Sequence, residues 1–136
     1  MLRRGPAMQL QLAGDASDVG TGAFAPNGEL AAAGLPSTIV TSWDKEELQL
    51  LADNRFSSSL REVRALLLTL QAIHQQAPQL LRHRSVQYLS DSQVAAAAIN
   101  RMGGNEALFP AVKAVWQLCK ELDCELKVVW QPREHA

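Results

Sequence analysis

The chain has 136 residues, 47% hydrophobic and 20% charged, which is the size and mixture of one compact globular domain with a sizeable core. A formal net charge of −1 excludes a global basic footprint, so any nucleic-acid contact must come from local clusters such as Arg61/Arg64 or Arg82/His83/Arg84, each of which, taken alone, reads first as ordinary solvated side chains. No apolar run is long enough to span a bilayer, and residues 1–6 are too short and polar for a secretory signal, so a soluble chain away from membranes is expected. Cys119 and Cys124, five apart, fit no zinc-ligand spacing and read as buried free thiols of a reducing, intracellular compartment, cytoplasm or nucleus.

Residues 8–12 alternate Met, Gln, Leu, Gln, Leu, the period of a strand with two unlike faces, and this strand runs into Asp15. A second extended stretch over 22–25 reaches Pro26-Asn27-Gly28, where Asn-Gly supplies the positive φ of a tight hairpin, and the chain is expected to return through 30–33. After Gly34 and Pro36, the β-branched run Thr38-Ile39-Val40-Thr41 predicts another strand ending at Trp43. Leu60, Val63, Leu66, Leu67, Leu70 and Ile73 then fall at helical spacing, with Ser57, Ser58 and Ser59 offering N-caps and Pro78 beyond the end. Residues 86–89 form a short apolar run bounded by Ser90-Asp91-Ser92, and the alanine-rich 93–102 predicts a helix stopped by Gly103-Gly104. Val112, Val115, Trp116 and Cys119 predict a further helix, and 125–130 an edge strand. The order β-β-β-α-β-α-α-β, without repeat, low-complexity stretch or linker, is that of one α/β domain over residues 1–136.

This order has a consequence for three acids. Three antiparallel strands followed by a helix bring the fourth strand parallel to the first through a right-handed crossover, so Asp15 and Asp91 both lie at carboxyl ends of strands, where open α/β sheets place their sites. Glu62, in the first turns of the helix, starts from the same edge. Clustered carboxylates repel one another and are tolerated mainly around a hard cation, and an all-oxygen set suits magnesium or manganese. Taken alone, each acid has a structural reading of equal weight: Asp15 as a strand-end turn residue, Asp91 as a helix cap, Glu62 as partner of Ser59 in a capping box. His74, His83 and His135 share no metal-ligand spacing, so no zinc site is expected. Trp116 reads as core, while Trp43 and Trp130 end strands without an assigned role.

The stretch Gly14-Asp15-Ala16-Ser17-Asp18-Val19-Gly20-Thr21-Gly22-Ala23 resembles the first-strand signature of retroelement ribonuclease H domains, Asp-Ala-Ser followed by Gly-x-Gly-Ala. Ser59-Leu60-Arg61-Glu62-Val63-Arg64-Ala65-Leu66 is similar to that family's first helix, and Leu89-Ser90-Asp91-Ser92-Gln93-Val94-Ala95 to its third block. Three further segments, Ile99-Asn100-Arg101-Met102-Gly103-Gly104, Val115-Trp116-Gln117-Leu118-Cys119 and Val129-Trp130-Gln131-Pro132-Arg133-Glu134, are most similar to DIRS-type, tyrosine-recombinase retrotransposons. The resemblance covers residues 10–134. Thr21 departs from it, since relatives often carry tryptophan there, and the family's fourth acid, in an Ala-Asp motif opening a last helix, would follow where this sequence has His135-Ala136.

The resemblance implies a ribonuclease H-like fold: a five-stranded mixed sheet, three antiparallel strands then two parallel additions, with flanking helices and the C-terminal helix absent. It implies an endonuclease that cuts the RNA strand of an RNA/DNA hybrid by two-metal-ion catalysis, within a retroelement reverse transcriptase whose polymerase domain belongs to the same polyprotein. Two magnesium or manganese ions would be held by Asp15, Glu62 and Asp91: Asp15 bridging both, Glu62 on the leaving-group side, Asp91 on the nucleophile side. Ala16 and Ser17, and Asn100 or Arg101 against the other strand, would read the minor groove and the 2′-hydroxyl. Rival readings are a catalytically inactive ribonuclease H-like fragment acting as a structural or interaction module, and a related exonuclease or integrase; the glycine motif and the Arg-Glu helix argue against the second.

Overall fold

The computed structural model describes residues 9–132, so the expectations placed on Met8 and on Arg133, Glu134, His135 and Ala136 lie outside it. In β1 (Gln9–Ala16) the alternation sends Leu10 and Leu12 wholly into the core and leaves Gln9 exposed on the other face. This strand pairs antiparallel with β2 (Gly20–Phe24), which pairs antiparallel with β3 (Thr38–Ser42). On its other side β1 lies parallel to β4 (Ser85–Ser90), itself parallel to β5 (Glu125–Trp130), giving the order β3-β2-β1-β4-β5. Three antiparallel strands and two parallel additions are thus present as expected, and β5 is an edge.

Two connecting segments differ from expectation. Residues expected to return as a strand after Asn27-Gly28 form a single helical turn, α1 (Glu29–Ala32), entered through Gly28 at φ 77°. The local reason is composition: Leu30, buried to 1% exposure, is the lone apolar anchor among alanines, which favour helix and supply no alternation. The second difference is an unexpected helix, α2 (Lys45–Ala52), between β3 and the long α3 (Ser58–Gln76). Its start is a complete capping box: Asp44 Oδ1 accepts from the Glu47 amide at 2.7 Å, and Glu47 Oε1 from the Asp44 amide at 2.9 Å. Buried Glu47 also accepts Arg64 Nε at 2.6 Å, which clamps α2 to α3.

α3 buries Val63, Leu66, Leu67, Leu70 and Ile73 in one core with Leu10, Leu12 and Val86 of the sheet, and α4 (Gln93–Asn100) and α5 (Phe109–Leu122) complete that helical layer. At the end of α5, Asp123 takes the left-handed conformation, and the Cys124 amide donates to the Cys119 carbonyl at 2.9 Å. These bonds make a Schellman motif whose apolar contact is the pair of buried cysteines. The opposite sheet face carries a row set by the register, Phe24, Ala13, Leu89 and Val129, of which Phe24 is half exposed.

Asn100 closes the β5 edge. Its Nδ2 donates to the Val128 carbonyl at 2.7 Å, and its Oδ1 accepts from the Val128 amide at 3.0 Å, so the side chain substitutes for a neighbouring strand. Replacing it leaves both backbone groups without a protein partner. Asn100→Ala is expected to lower unfolding free energy by about 1–3 kcal/mol, read from urea denaturation; a loss under about 0.5 kcal/mol would show that water replaces the clamp without penalty.

Candidate metal centre at the carboxyl edge of the sheet

Parallel pairing of β1 with β4, in register from Gln9↔Ser85 to Ala13↔Leu89, places Asp15 and Asp91 at the same end of neighbouring strands. α3 begins at that end, N-capped by Ser57, whose Oγ accepts from the Leu60 amide at 3.1 Å. Ser59 is therefore inside the helix and Glu62 is not its capping partner. Likewise α4 is capped by Ser92, which accepts from the Ala95 amide at 3.1 Å, and not by Asp91. With the capping alternatives of Glu62 and Asp91 filled by serines, one carboxylate oxygen from each of Asp15, Glu62 and Asp91 lies within 4.8 Å of the others.

The three acids differ in environment. Asp15 is exposed and Asp91 reachable by solvent, whereas Glu62 is only 7% exposed. Glu62 Oε1 accepts from the Ala16 amide at 2.9 Å, an N–H that also reaches Asp15 Oδ1 at 2.9 Å, while Glu62 Oε2 is buried and makes no hydrogen bond. Burial first, then the charges of Asp15 and Asp91, push the Glu62 carboxyl up to about 7, against the pull of the Ala16 amide. A buried carboxylate oxygen without a donor, facing two further carboxylates, fits a hard divalent cation: it would supply the missing positive charge and accept an all-oxygen ligand set.

Beneath the cluster stands Tyr88 of β4, 1% exposed, its phenol held protonated first by burial and then by the charges of Glu62 and Asp15. Its ring packs so close to β1 that a Cβ at Gly14 would lie 1.9 Å from Tyr88 Oη, so only glycine fits before Asp15. This contact was not legible in the sequence, because nothing local pairs residue 14 with residue 88.

The expected nucleic-acid residues separate. Ala16 and Ser17 adjoin the acids, with the Ser17 hydroxyl accepting from the Val19 and Gly20 amides and its carbonyl from Trp43 Nε1 at 2.8 Å. Asn100 and Arg101 lie at the far end of α4, about 12 Å along the helix from Asp91, and the amide of Asn100 is committed to β5. Of the basic clusters, Arg64 is matched by Glu47, and Arg82, His83 and Arg84 precede β4 at the end of the sheet away from the acids. Trp43 is buried edge-on against Phe56, and the indole of Trp116 donates to the Ile99 carbonyl.

A cleft of about 410 Å³ opens beside the acids, lined by Ala13, Asp15, Phe24, Leu89, Asp91 and Pro132 among others. A larger cavity of about 510 Å³ along α5 is walled by apolar groups such as Phe109 and Trp116 and touches none of the three acids. Two of the three acids, Asp15 and Asp91, thus border the smaller cleft.

The raised Glu62 carboxyl fixes a sign. Between about pH 4.5 and about pH 7 the folded chain holds a proton that the unfolded chain has lost, so without metal its stability is fullest below this window and falls as pH rises through it. In chelator-containing buffer the melting temperature is expected to fall from about pH 5 to about pH 8, as the unfolding free energy drops by up to about 1.4 kcal/mol per pH unit. Glu62→Gln should flatten this slope, and Asp15→Ala should raise the melting temperature slightly at the upper pH by removing a repelling charge. Equal slopes for wild type and Glu62→Gln would remove Glu62 as the source.

No protein-family model and no curated protein sequence matches the chain. Solved structures do. RNase H1 of the halophilic archaeon Halobacterium salinarum NRC-1 superposes with a TM-score of 0.59 at 12% identity, over 92% of this chain and 86% of that one. The N-terminal RNase H domain of Rv2228c from Mycobacterium tuberculosis gives 0.57 at 12% identity, over 92% and 88%. LC11-RNase H1, solved in complex with an RNA/DNA hybrid, gives 0.58 at 14% identity, over 92% and 85%. The mixed sheet with its flanking helices is thus the ribonuclease H fold.

Proposed function

We propose that the chain is a metal-dependent ribonuclease H that hydrolyses the RNA strand of RNA/DNA hybrids, as the nuclease segment of a DIRS-type retroelement reverse transcriptase. The observation that carries this reading is the meeting of Asp15, Glu62 and Asp91 within 4.8 Å around a buried, unbonded Glu62 oxygen. Two magnesium or manganese ions held there would activate the attacking water and stabilise the leaving oxygen. The chain's own contribution is position. The Ala16 amide fixes one Glu62 oxygen, the close Gly14–Tyr88 packing fixes the strand that carries Asp15, and burial keeps solvent from the inner side of the site.

The substrate reading is supported by the hybrid bound to LC11-RNase H1, a neighbour of the same fold, and by the open cleft beside the acids. A hybrid would cross the turn at Ala16 and Ser17 and extend towards Arg101 beyond α4, with Asn100 contributing to the shape of that end through its hold on β5. Its covalent partner would be the polymerase domain of the same polyprotein, and the DIRS-like motif segments support that setting.

The test is cleavage of a labelled hybrid with magnesium, paired with a thermal-shift titration of magnesium that does not depend on turnover. Expected are cuts in the RNA strand only, none in double-stranded DNA, and a magnesium-dependent rise in melting temperature, since a ligand of the folded state stabilises it. Asp15→Asn and Asp91→Asn should abolish both responses. A magnesium shift without any cleavage would favour the inactive-module reading, and cleavage that survives Asp15→Asn would refute this site.

A further inference from the structure

The two arginines near the start of α3 are held in opposite ways. Arg64 is paired with Glu47, a carboxylate 5% exposed that is itself fixed by the Asp44 amide, so this pair cannot exchange partners without unpacking α2. Arg61 is anchored on its inner side only: Nε donates to the Phe56 carbonyl at 3.1 Å, and the guanidinium sits 6.0 Å from the Phe56 ring centroid. Phe56 in turn packs edge-on against Trp43, whose indole donates to the Ser17 carbonyl. One of its two outer arms, Nη1, meets Asp18 Oδ1 at 2.7 Å, and the Asp18 side chain is 81% exposed against 24% for Arg61. A preorganised guanidinium thus faces a carboxylate that hangs in solvent, and such exposed pairs contribute little to stability.

Position gives the pair its meaning. Asp18 follows Asp15 by three residues in the turn between β1 and β2, and Arg61 immediately precedes Glu62, so the pair joins the two elements that carry two of the three acids. A planar guanidinium accepts a phosphodiester oxygen through the same N–H···O geometry that it offers a carboxylate. We propose that Arg61 binds a backbone phosphate of the nucleic-acid strand lying over the acid cluster, and that Asp18 occupies this arm until the phosphate displaces it. The inference rests on the hybrid-nuclease reading for its ligand. It makes Arg61 a binding residue and Asp18 a built-in competitor, which also lets a chain of net charge −1 present a cation only when a polyanion arrives.

The experiment is equilibrium binding of a short fluorescent RNA/DNA hybrid by anisotropy across a salt series, with calcium in place of magnesium, for wild type, Arg61→Gln, Arg61→Lys, Asp18→Asn and the double variant Asp18→Asn/Arg61→Gln. Asp18→Asn, at an exposed position, is expected to tighten binding several-fold. Arg61→Gln should weaken it and make the dependence of log K on log salt shallower by about 0.9, the loss of one phosphate contact. Arg61→Lys should keep the slope. Most diagnostic is the double variant, in which the gain from Asp18→Asn should vanish. An unchanged slope in Arg61→Gln, or an equal gain from Asp18→Asn with and without Arg61, overturns the proposal while leaving the nuclease reading intact. Failure of the wild-type chain to bind hybrid even at low salt overturns both.

Discussion

Glu62 sits where a carboxylate cannot be comfortable: packed at the start of α3, one oxygen tied to the Ala16 amide, the other with no donor, and two more carboxylates beside it. Burial removes the water that would stabilise its charge, and Asp15 and Asp91 add repulsion. Only a proton or a cation relieves this arrangement. The surrounding structure is organised so that the acid nevertheless stays in place, because each element that carries an acid is fixed by interactions independent of the acids themselves.

That independence can be traced residue by residue. α3 is held by its apolar stripe against Leu10, Leu12 and Val86 and capped by Ser57, so its start does not depend on Glu62 for a cap. α4 is capped by Ser92, while Ser90, buried at the end of β4, accepts the Ser92 amide and bonds the Gln131 amide through its carbonyl. Asp91 stands between two serines that carry the local structure. Asp15 follows a glycine that the Tyr88 ring requires, and its strand is paired on both sides. Repulsion among the carboxylates is therefore opposed by hydrophobic burial and backbone pairing distributed over the whole sheet.

The electrostatic surface is economical in a similar way. Arginines that composition alone would offer to a polyanion have different fates. Arg64 is held by the buried Glu47 carboxylate and ties α2 to α3, Arg82 and Arg84 lie at the end of the sheet away from the acids, and Arg61 is paired with Asp18. Counting basic residues along the sequence would have given the acid edge more positive potential than it has. On the other sheet face the row Phe24, Ala13, Leu89 and Val129 runs up to the cleft beside Asp15 and Asp91, so the site lies where the polar end of the sheet meets an apolar surface.

Much of this was legible in the sequence, and for identifiable reasons. Strict alternation at the start of β1, the spacing of Leu60, Val63, Leu66, Leu67, Leu70 and Ile73, and the short run before Ser90-Asp91-Ser92 are local patterns, and local patterns fix element type. Their order then fixed the parallel pairing of β1 and β4, and with it the shared edge of Asp15, Glu62 and Asp91. The capping box Asp44-x-x-Glu47 was equally local and marks α2, although no longer apolar period drew attention to it. Residues 29–33 misled because Asn-Gly signals a turn without specifying the element after it, and a run of alanines around Leu30 has no alternation to make it a strand. What the sequence could not hold is any relation between distant side chains: Tyr88 against Gly14, Asn100 across β5, Glu47 under Arg64, Asp18 on Arg61. Sequence alone determined which residues are apolar and in what order the main strands and helices run; which residue caps each helix and which polar group meets which was decided only when burial of the common core set the elements side by side, because hydrogen bonds and ion pairs act over a few ångströms and form only between groups that packing has already brought together.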